Sequence, residues 1–187
     1  IKEMADIQMF EDNVKRKILF LGPNGSYTDF AKDKFIEKYK LSGSEEIAKN
    51  TILSAIKEFD QNPDKGLLAV LPIENSIDGV VRETIDNLTR IEDKSVKILS
   101  ELALPISHCL ITKAKSFSEI KTITSYPQGI AQCRGFIDQN LRKDISIQTT
   151  TSTAKAVQEL QTSDASTAAI ASEKSAILYD LPILDRA

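Results

Sequence analysis

The chain has 187 residues, of which 41% are hydrophobic and 27% charged, and its formal net charge is −3. This composition supports one substantial hydrophobic core or two smaller lobes. It argues against a nucleic-acid-binding protein, because the longest basic run is Lys15-Arg16-Lys17 and aromatic residues are sparse. Residues 1–17 carry too many charges for a signal peptide, and no apolar run approaches the roughly 20 residues that a membrane-spanning helix needs.

The two cysteines, Cys109 and Cys133, lie in apolar stretches. They are predicted to be reduced thiols in the core of a cytoplasmic protein. With a single histidine and two separated cysteines, no zinc site is predicted. The chain begins at Ile1 and ends at Ala187 just after an apolar run, so we expect it to be a fragment of a longer protein.

In chain order, the sequence starts with a polar extension or linker at residues 1–16 and then alternates between apolar runs and helical periodicity. The predicted elements of the first lobe, residues 17–99, are a strand at 17–21, a helix after an N-cap at Ser26, a weak strand at 45–49, a helix at about 51–60, a strand at 66–71 and a helix from Val80 to Leu88. An extended segment at 95–112 is predicted to cross to the second lobe.

The second lobe, residues 100–187, repeats the alternation. Its predicted elements are a strand at 120–124, a helix at 127–140 with Pro127 in its first position, a strand at 145–148, a helix at 152–160 capped by Ser152 or Thr153, a strand at 168–171 and a helix at about 172–179. Strands that alternate with helices predict an α/β fold with mainly parallel sheets.

A polar stretch at residues 71–81 separates an apolar strand from a helical pattern and contains Glu74, Asn75, Ser76 and Gly79. Polar groups in a strand-to-helix turn are typical of ligand sites in α/β proteins. The same side chains are also those that form ordinary turn and cap hydrogen bonds. This stretch alone does not decide between the two interpretations.

Three further turns place hydroxyl or amide residues at predicted helix starts. The four candidate turns are Gly25-Ser26-Tyr27-Thr28, Asn75-Ser76-Ile77-Asp78-Gly79, Ser125-Tyr126-Pro127-Gln128 and Thr151-Ser152-Thr153-Ala154. A helix start offers free N–H groups and a partial positive charge, which suit carboxylates or phosphates. Each turn taken alone is better explained as a helix cap. Together, with Glu74, Asn75 and Gln128, they favour a site for a small, multiply anionic ligand.

Three other residues are candidates for supporting roles. Gln128 and Gln132 share a helix face, so Gln128 is expected to reach a ligand, whereas Gln132 braces it or faces the core. His108 is the only histidine and follows Glu101 in the same extended segment. It fits either a general acid or base, or a structural histidine that bonds backbone where the lobes join.

Several common catalytic patterns do not occur. There is no convincing Ser/His/Asp order, no Walker loop and no Gly-x-Gly-x-x-Gly. Nucleophilic hydrolysis, nucleotide transfer and dinucleotide redox chemistry are therefore disfavoured.

Taken in order, these turns resemble the catalytic domain of prephenate dehydratases, from about residue 17 to 185. The motifs that carry the resemblance are Leu21-Gly22-Pro23-Asn24-Gly25-Ser26-Tyr27-Thr28, Leu71-Pro72-Ile73-Glu74-Asn75-Ser76-Ile77-Asp78-Gly79-Val80, Glu101-Leu102-Ala103-Leu104-Pro105-Ile106-Ser107-His108-Cys109-Leu110, Ser125-Tyr126-Pro127-Gln128 with Gln132-Cys133, Ser152-Thr153-Ala154 and Ala168-Ala169-Ile170-Ala171. The Pro-Ile-Glu-Asn-Ser motif and the Pro-Gln…Gln-Cys helix are the most specific of them.

The resemblance implies a fold like the type 2 periplasmic binding proteins, with two α/β lobes and an active site in the cleft between them. It implies conversion of prephenate to phenylpyruvate, water and carbon dioxide in L-phenylalanine biosynthesis, without a metal or organic cofactor. The implied substrate-binding residues are Ser26, Tyr27, Thr28, Glu74, Asn75, Ser76, Gly79, Ser125, Gln128, Ser152, Thr153 and Ala154, with Glu101, His108 and Gln132 in support. A homodimer or tetramer, and L-phenylalanine as effector if an ACT domain follows, are implied for the full-length protein.

The chain departs from the family pattern at three places. It stops before the Thr-Arg-Phe motif, whose threonine is the residue most associated with catalysis, so we expect the chain alone to be folded but weakly active or inactive. Family members commonly have histidine at Tyr126, and Thr-Phe-Ser at Ser26-Tyr27-Thr28. The open alternatives are an arogenate dehydratase and a non-catalytic binding or sensor domain of the same fold. Residues 1–16 are too few to decide whether a chorismate mutase precedes.

Overall fold

A computed structural model describes residues 16–62, 66–91 and 96–186. The extension at residues 1–15 lies outside this described part of the chain. The chain divides into two compact units. Unit 1 comprises Ile1–Gly22 and Thr28–Leu104, and unit 2 comprises Pro23–Tyr27 and Pro105–Ala187. The predicted turn at residues 25–28 is thus shared, with Thr28 assigned to unit 1.

Unit 1 is built on a parallel three-stranded sheet. Strand β1 (Lys17–Leu21) lies between β2 (Glu45–Lys49) and β3 (Leu67–Val70), and Leu19 is in register with Ile47 and Ala69. The central position explains why the middle of β1 is apolar, since both neighbours and the packed faces exclude water. The three predicted strands are confirmed.

Three helices accompany this sheet. They are α1 (Tyr27–Tyr39), α2 (Ile52–Gln61) and α3 (Arg82–Leu88). Helix α2 begins at a capping box in which Thr51 and Ser54 satisfy each other's backbone N–H groups, and it buries Ile52, Ala55 and Ile56 on one face. The i, i+3, i+4 spacing of these residues is the signal that makes this helix predictable.

The buried side of α1 is charged. The sequence places five apolar or aromatic residues on one face, but the fully buried residues are Asp29 and Lys32. The Lys32 ammonium lies 2.8 Å from an Asp29 oxygen and 3.1 Å from an Asp33 oxygen, and it also pairs with Glu46 on β2. It lies 4.6 Å from the ring centroid of Phe20. An ion cluster, together with a cation–π contact, therefore attaches α1 to the sheet.

This cluster predicts alkaline sensitivity. Burial acts to lower the pKa of Lys32, but its bonds to Asp29, Glu46 and Asp33 outweigh that effect and raise the pKa. Because the pKa of Lys32 is higher in the folded state than in the unfolded state, protonated Lys32 stabilises the fold fully below the unfolded-state pKa of about 10.4. This stabilisation is lost as the pH rises through the folded-state pKa. We expect the free energy of unfolding to fall above about pH 10.4, measured by urea titration at a series of pH values.

The matched control for this titration is Lys38→Met, on the exposed side of the same helix. It should keep the full alkaline decline, whereas Lys32→Met should make the decline smaller; the raised pKa values of Tyr27, Cys109 and Cys133 account for the part that remains. An equal decline in both variants would show that Lys32 is not its source.

The polar stretch of unit 1 forms a short hairpin. Strands β4 (Glu74–Asn75) and β5 (Gly79–Val80) pair antiparallel, and α3 starts only at Arg82. The Asn75 side-chain oxygen accepts the N–H groups of Ile77 (2.9 Å) and Asp78 (3.3 Å), and Gly79 has φ +77°. The prediction that this turn lies at a helix start is therefore wrong, because Val80 is held in a strand pair.

Unit 2 contains a mixed five-stranded sheet. Its order is β10 (Ile183–Arg186), β6 (Cys109–Thr112), β9 (Thr167–Ala171), β7 (Thr122–Ser125) and β8 (Ser146–Thr149). Strand β7 runs parallel to both neighbours, whereas β6 runs antiparallel to β9 and β10. The sequence analysis missed β10, whose four residues are interrupted by a register shift between Ile183 and Asp185.

The helices of unit 2 are short. They are α4 (Pro127–Gln132), α5 (Arg134–Asn140), α6 (Thr153–Leu160) and α7 (Glu173–Leu178), with a 3₁₀ turn at Phe117–Glu119. The single helix predicted at 127–140 is wrong, because Cys133 adopts φ −96° and ψ 11° and divides it into α4 and α5. The predicted cap at Ser152 is confirmed, since its hydroxyl accepts the Lys155 N–H at 3.0 Å. The predicted α/β class is also confirmed.

Candidate active site

The turn at residues 23–27 is anchored within unit 2 by two serines. The Gly25 carbonyl accepts hydrogen bonds from the hydroxyls of Ser172 (2.9 Å) and Ser175 (2.8 Å). Gly25 is buried with φ +83°, and a Cβ there would lie 3.0 Å from the Ser175 oxygen. The sequence analysis missed both serines, although Ser172 caps α7 and a serine before a helix is a visible signal.

Tyr27, two residues after Gly25, contacts His108, the only histidine of the sequence. The Tyr27 hydroxyl donates to the Ser107 carbonyl at 2.8 Å and lies 3.0 Å from His108 Nδ1. His108 Nε2 lies 2.7 Å from the side-chain oxygen of Gln132. The structure thus brings together three candidate residues, and the imidazole bonds side chains rather than backbone groups through its ring nitrogens.

The polar groups near this contact stay neutral. Burial raises the pKa of Tyr27 well above its ordinary value. Cys109 and Cys133 are free and buried, as predicted, and burial also raises the pKa of each thiol. A protonated phenol and protonated thiols make weak nucleophiles, so these residues favour binding over nucleophilic attack.

Helix α4 packs closely against neighbouring elements because of Gly129. A Cβ on this residue would lie 2.7 Å from Ser125 Oγ, 3.3 Å from Thr153 Cγ2 and 3.8 Å from His108 Cε1. The residue before it, Gln128, has a buried side-chain nitrogen without a hydrogen-bond partner among the described residues. A buried amide donor without a partner is costly, so a bound ligand is the natural acceptor for it.

Other predicted site residues of unit 2 make internal contacts. The Ser125 hydroxyl donates to the Ile170 carbonyl at 2.6 Å, and Ser125 is fully buried. Ala154 is also fully buried, so its side chain packs in the core. Ser152 caps α6, and Thr153 and Ser26 are half-buried. Among these residues, Ser26, Ser152 and Thr153 keep surface from which to contact a ligand.

An open pocket of about 420 Å³ lies beside the starts of α4 and α6. Its lining residues are Tyr126, Pro127, Thr149, Thr150, Thr151, Lys155 and Glu159. The lining combines hydroxyls with the Lys155 ammonium, which lies 3.8 Å from the Glu159 carboxylate and donates to the Gln158 side-chain oxygen at 2.9 Å. The hydroxyls can donate to an oxygen-rich ligand, and the charge of Lys155 is partly offset by Glu159. Lys155 was not among the residues selected in the sequence analysis.

Apart from Thr28, which is half-buried in the first turn of α1, the predicted residues of unit 1 lie at the hairpin or in exposed chain. Glu74 and Ser76 are exposed, Asn75 and Gly79 are half-buried, and Glu101 is exposed in the segment before β6. The hairpin is fixed to α3 because the Thr84 hydroxyl donates to the Pro72 carbonyl at 2.6 Å. Unit 1 therefore presents Glu74, Asn75 and Ser76 on a turn that is held by a hydrogen bond to α3.

Two other kinds of feature are absent from the part of the chain that the structure describes. Within 16–62, 66–91 and 96–186, no group of three or more histidine, cysteine, aspartate or glutamate residues could hold a metal ion. No helix in the same ranges is both long and apolar enough to cross a membrane.

Comparison with known proteins shows one family. A family model described as prephenate dehydratase matches residues 18–187. The prephenate dehydratase of Methanocaldococcus jannaschii is 38% identical over 177 residues, which cover 92% of this chain and 59% of that protein. The prephenate dehydratase of Lactococcus lactis subsp. lactis is 33% identical over 171 residues, which cover 90% of this chain and 57% of that protein.

Solved structures agree with these relatives. Prephenate dehydratase from Arthrobacter aurescens, in complex with L-Phe, superposes with a TM-score of 0.73 at 25% identity over 91% of this chain and 55% of that one. A structure described as a novel type of quorum quenching acylase shares the fold, with a TM-score of 0.66 and 24% identity. The match covers 91% of this chain and 59% of that one. The predicted type 2 periplasmic-binding-protein-like fold is thereby confirmed.

The chain spans less than two thirds of the length of each of these proteins. The family model nevertheless matches nearly the whole chain, and the predicted resemblance is confirmed. The chain belongs to the prephenate dehydratase family.

Proposed function

We propose that this protein is a hydro-lyase that converts prephenate to phenylpyruvate, water and carbon dioxide in L-phenylalanine biosynthesis. The observation that carries the proposal is the family match over residues 18–187. The candidate site adds a buried amide donor at Gln128 and a pocket lined by hydroxyls and Lys155. Such groups bind carboxylates without a metal ion.

The chemistry of prephenate suits neutral donors. Loss of carbon dioxide and of the ring hydroxyl makes the ring aromatic, so the driving force resides in the substrate. The protein has to hold two carboxylates, align both leaving groups and help the hydroxyl depart. Protonated phenol and thiol groups around His108 are consistent with catalysis by positioning rather than by covalent attack.

We assign roles to each unit separately. In unit 2, Gln128 donates to a substrate carboxylate, and Ser152 and Thr153 offer the start of α6. In unit 1, Asn75 and Ser76 present polar groups from the pinned hairpin. None of these residues is assigned as the proton donor to the departing hydroxyl.

The proposal also covers the location of the protein in the cell, its oligomeric state and its regulation. A cytoplasmic location is supported by the free state of Cys109 and Cys133. L-phenylalanine as an effector is supported by its presence in the Arthrobacter aurescens structure. A homodimer or tetramer is proposed for the protein as its gene encodes it, and sedimentation with and without L-phenylalanine tests both ideas.

Removal of the Gln128 amide tests the substrate-binding assignment. We expect Gln128→Met to lower kcat/KM for prephenate about 10- to 100-fold, because a hydrogen bond to a charged group contributes about 1.5–3 kcal/mol. Gln139→Met, at an exposed position of α5, is the matched control and should keep full activity. Equal activities in the two variants would remove Gln128 from the site.

The same assay separates prephenate from arogenate, which carries an amine in place of the side-chain keto group. Turnover of prephenate at a kcat/KM well above that of arogenate supports the proposal. The reverse preference would make the protein an arogenate dehydratase. Binding of either compound without turnover would point to a sensor domain.

A further inference from the structure

His108 is buried, and both of its ring nitrogens face polar side chains. The ring is 6% exposed, and each of its nitrogens faces a different polar side chain. Nε2 faces the Gln132 oxygen at 2.7 Å, and Nδ1 faces the Tyr27 hydroxyl at 3.0 Å. When both nitrogens of a histidine face hydrogen-bonding side chains, those partners decide which nitrogen donates and which accepts.

The partners of the ring select its tautomer. An amide oxygen accepts hydrogen bonds but cannot donate them, so the Gln132 oxygen requires a proton on Nε2. In the neutral ring, Nδ1 is then an acceptor, and the one phenolic proton of Tyr27 is shared between Nδ1 at 3.0 Å and the Ser107 carbonyl at 2.8 Å. Burial raises the pKa of Tyr27, which keeps that proton in place. The thiols of Cys109 and Cys133 remain neutral nearby because burial raises the pKa of each.

Gln132 and Tyr27, which flank the His108 ring, each lie on an element that also carries a proposed ligand-binding residue. Gln132 lies one turn after Gln128 on α4, and Gly129 between them lies beside the His108 ring, with 3.8 Å between its Cβ position and His108 Cε1. Tyr27 follows Ser26 in the turn whose Gly25 carbonyl is held by two serines of α7. The imidazole thus lies between α4 and the 23–27 turn, all within unit 2.

We propose that His108 is a positioning residue for the dehydratase: as the neutral Nε2–H tautomer selected by Gln132, it accepts the Tyr27 phenol and holds α4 and the 23–27 turn in the geometry that binds substrate. This inference rests on the proposed function. Its role is to orient Gln128 and Ser26, and the ring itself exchanges no proton with the substrate.

The tautomer is directly measurable because the chain has one histidine. A long-range ¹H–¹⁵N spectrum of the 187-residue chain at neutral pH should show the proton on Nε2 and an unprotonated Nδ1. Gln132→Met should move the proton toward Nδ1, because it removes the acceptor, whereas Gln132→Glu should keep it on Nε2. A proton on Nδ1 in the unsubstituted chain, or no change in Gln132→Met, would overturn the proposal.

Kinetics of the protein at the length its gene encodes supply the second readout. Gln132→Met and Tyr27→Phe should each raise KM for prephenate about 5- to 10-fold, as expected for loss of one buried hydrogen bond, with kcat within about twofold. Gln132→Glu should recover most of the KM, and Gln139→Met is the control. A drop in kcat at unchanged KM would instead indicate direct participation and overturn the positioning role. Because the spectrum needs no substrate, its result is independent of whether prephenate is turned over.

Discussion

Replacement of Lys32 by methionine is expected to lower the free energy of unfolding of unit 1 by about 3–5 kcal/mol. The side chains of Lys32 and Asp29 are both 5% exposed, and their ion pair is 2.8 Å long. Removal of the ammonium leaves the Asp29 carboxylate buried without the cation that lies 2.8 Å from it. Loss of the cation from a buried ion pair costs far more than the intact pair contributes, which is why the effect is large.

The double variant Asp29→Leu/Lys32→Met isolates the cause. It removes both charges and should recover most of the lost stability, because an apolar pair of similar volume replaces the ion pair. Hydrogen exchange of peptides from β1 and α1 during urea titration reports unit 1 directly. A loss below about 1 kcal/mol in the single variant, typical of an exposed ion pair, would contradict this account of α1.

Gly25→Ala is expected to cost about 2–4 kcal/mol and to weaken substrate binding. The residue has φ +83°, where a side chain adds about 1–2 kcal/mol of strain. Its Cβ would also lie 3.0 Å from Ser175 Oγ and 3.3 Å from Leu178 Cδ2, which adds overpacking. Because two serines hold the Gly25 carbonyl, a shift of this turn also moves Tyr27.

Gly43→Ala is the matched control for this substitution. Gly43 has a similar φ of +86°, but a Cβ there would meet nothing within 4 Å. It should therefore cost only the backbone strain, about 1–2 kcal/mol, and leave the KM for prephenate unchanged. Equal losses from the two alanines, by urea titration, would show that packing against α7 contributes nothing.

Local signals predicted those parts of the fold that depend on neighbouring residues. The apolar run of β1, the capping residue Ser152 and the spacing of the buried residues of α2 each act within one or two turns of chain. Cys133, where the helix breaks, is itself neither glycine nor proline, and Gly135 two residues later lies inside α5 and does not mark the break. The buried Lys32 depends on Glu46, which lies on another element. Tertiary contacts decide both features.

The same division applies to the candidate site. Polar turns are visible in the sequence, so Asn75, Gln128 and Ser152 could be selected as candidates. The serines that hold Gly25 lie almost 150 residues further along the chain, at separations of 147 and 150, and no local pattern links them to that turn. The packing of Gly129 against Ser125, Thr153 and His108 likewise becomes visible only in three dimensions.

The most direct test of the account is phenylpyruvate formation from prephenate, followed by absorbance in base, with the protein at the length its gene encodes. A reaction without protein corrects for the spontaneous decomposition of prephenate in acid. The account predicts turnover far above this background and its loss, about 10- to 100-fold, in Gln128→Met. A folded protein that produces phenylpyruvate no faster than the background would contradict the proposed function.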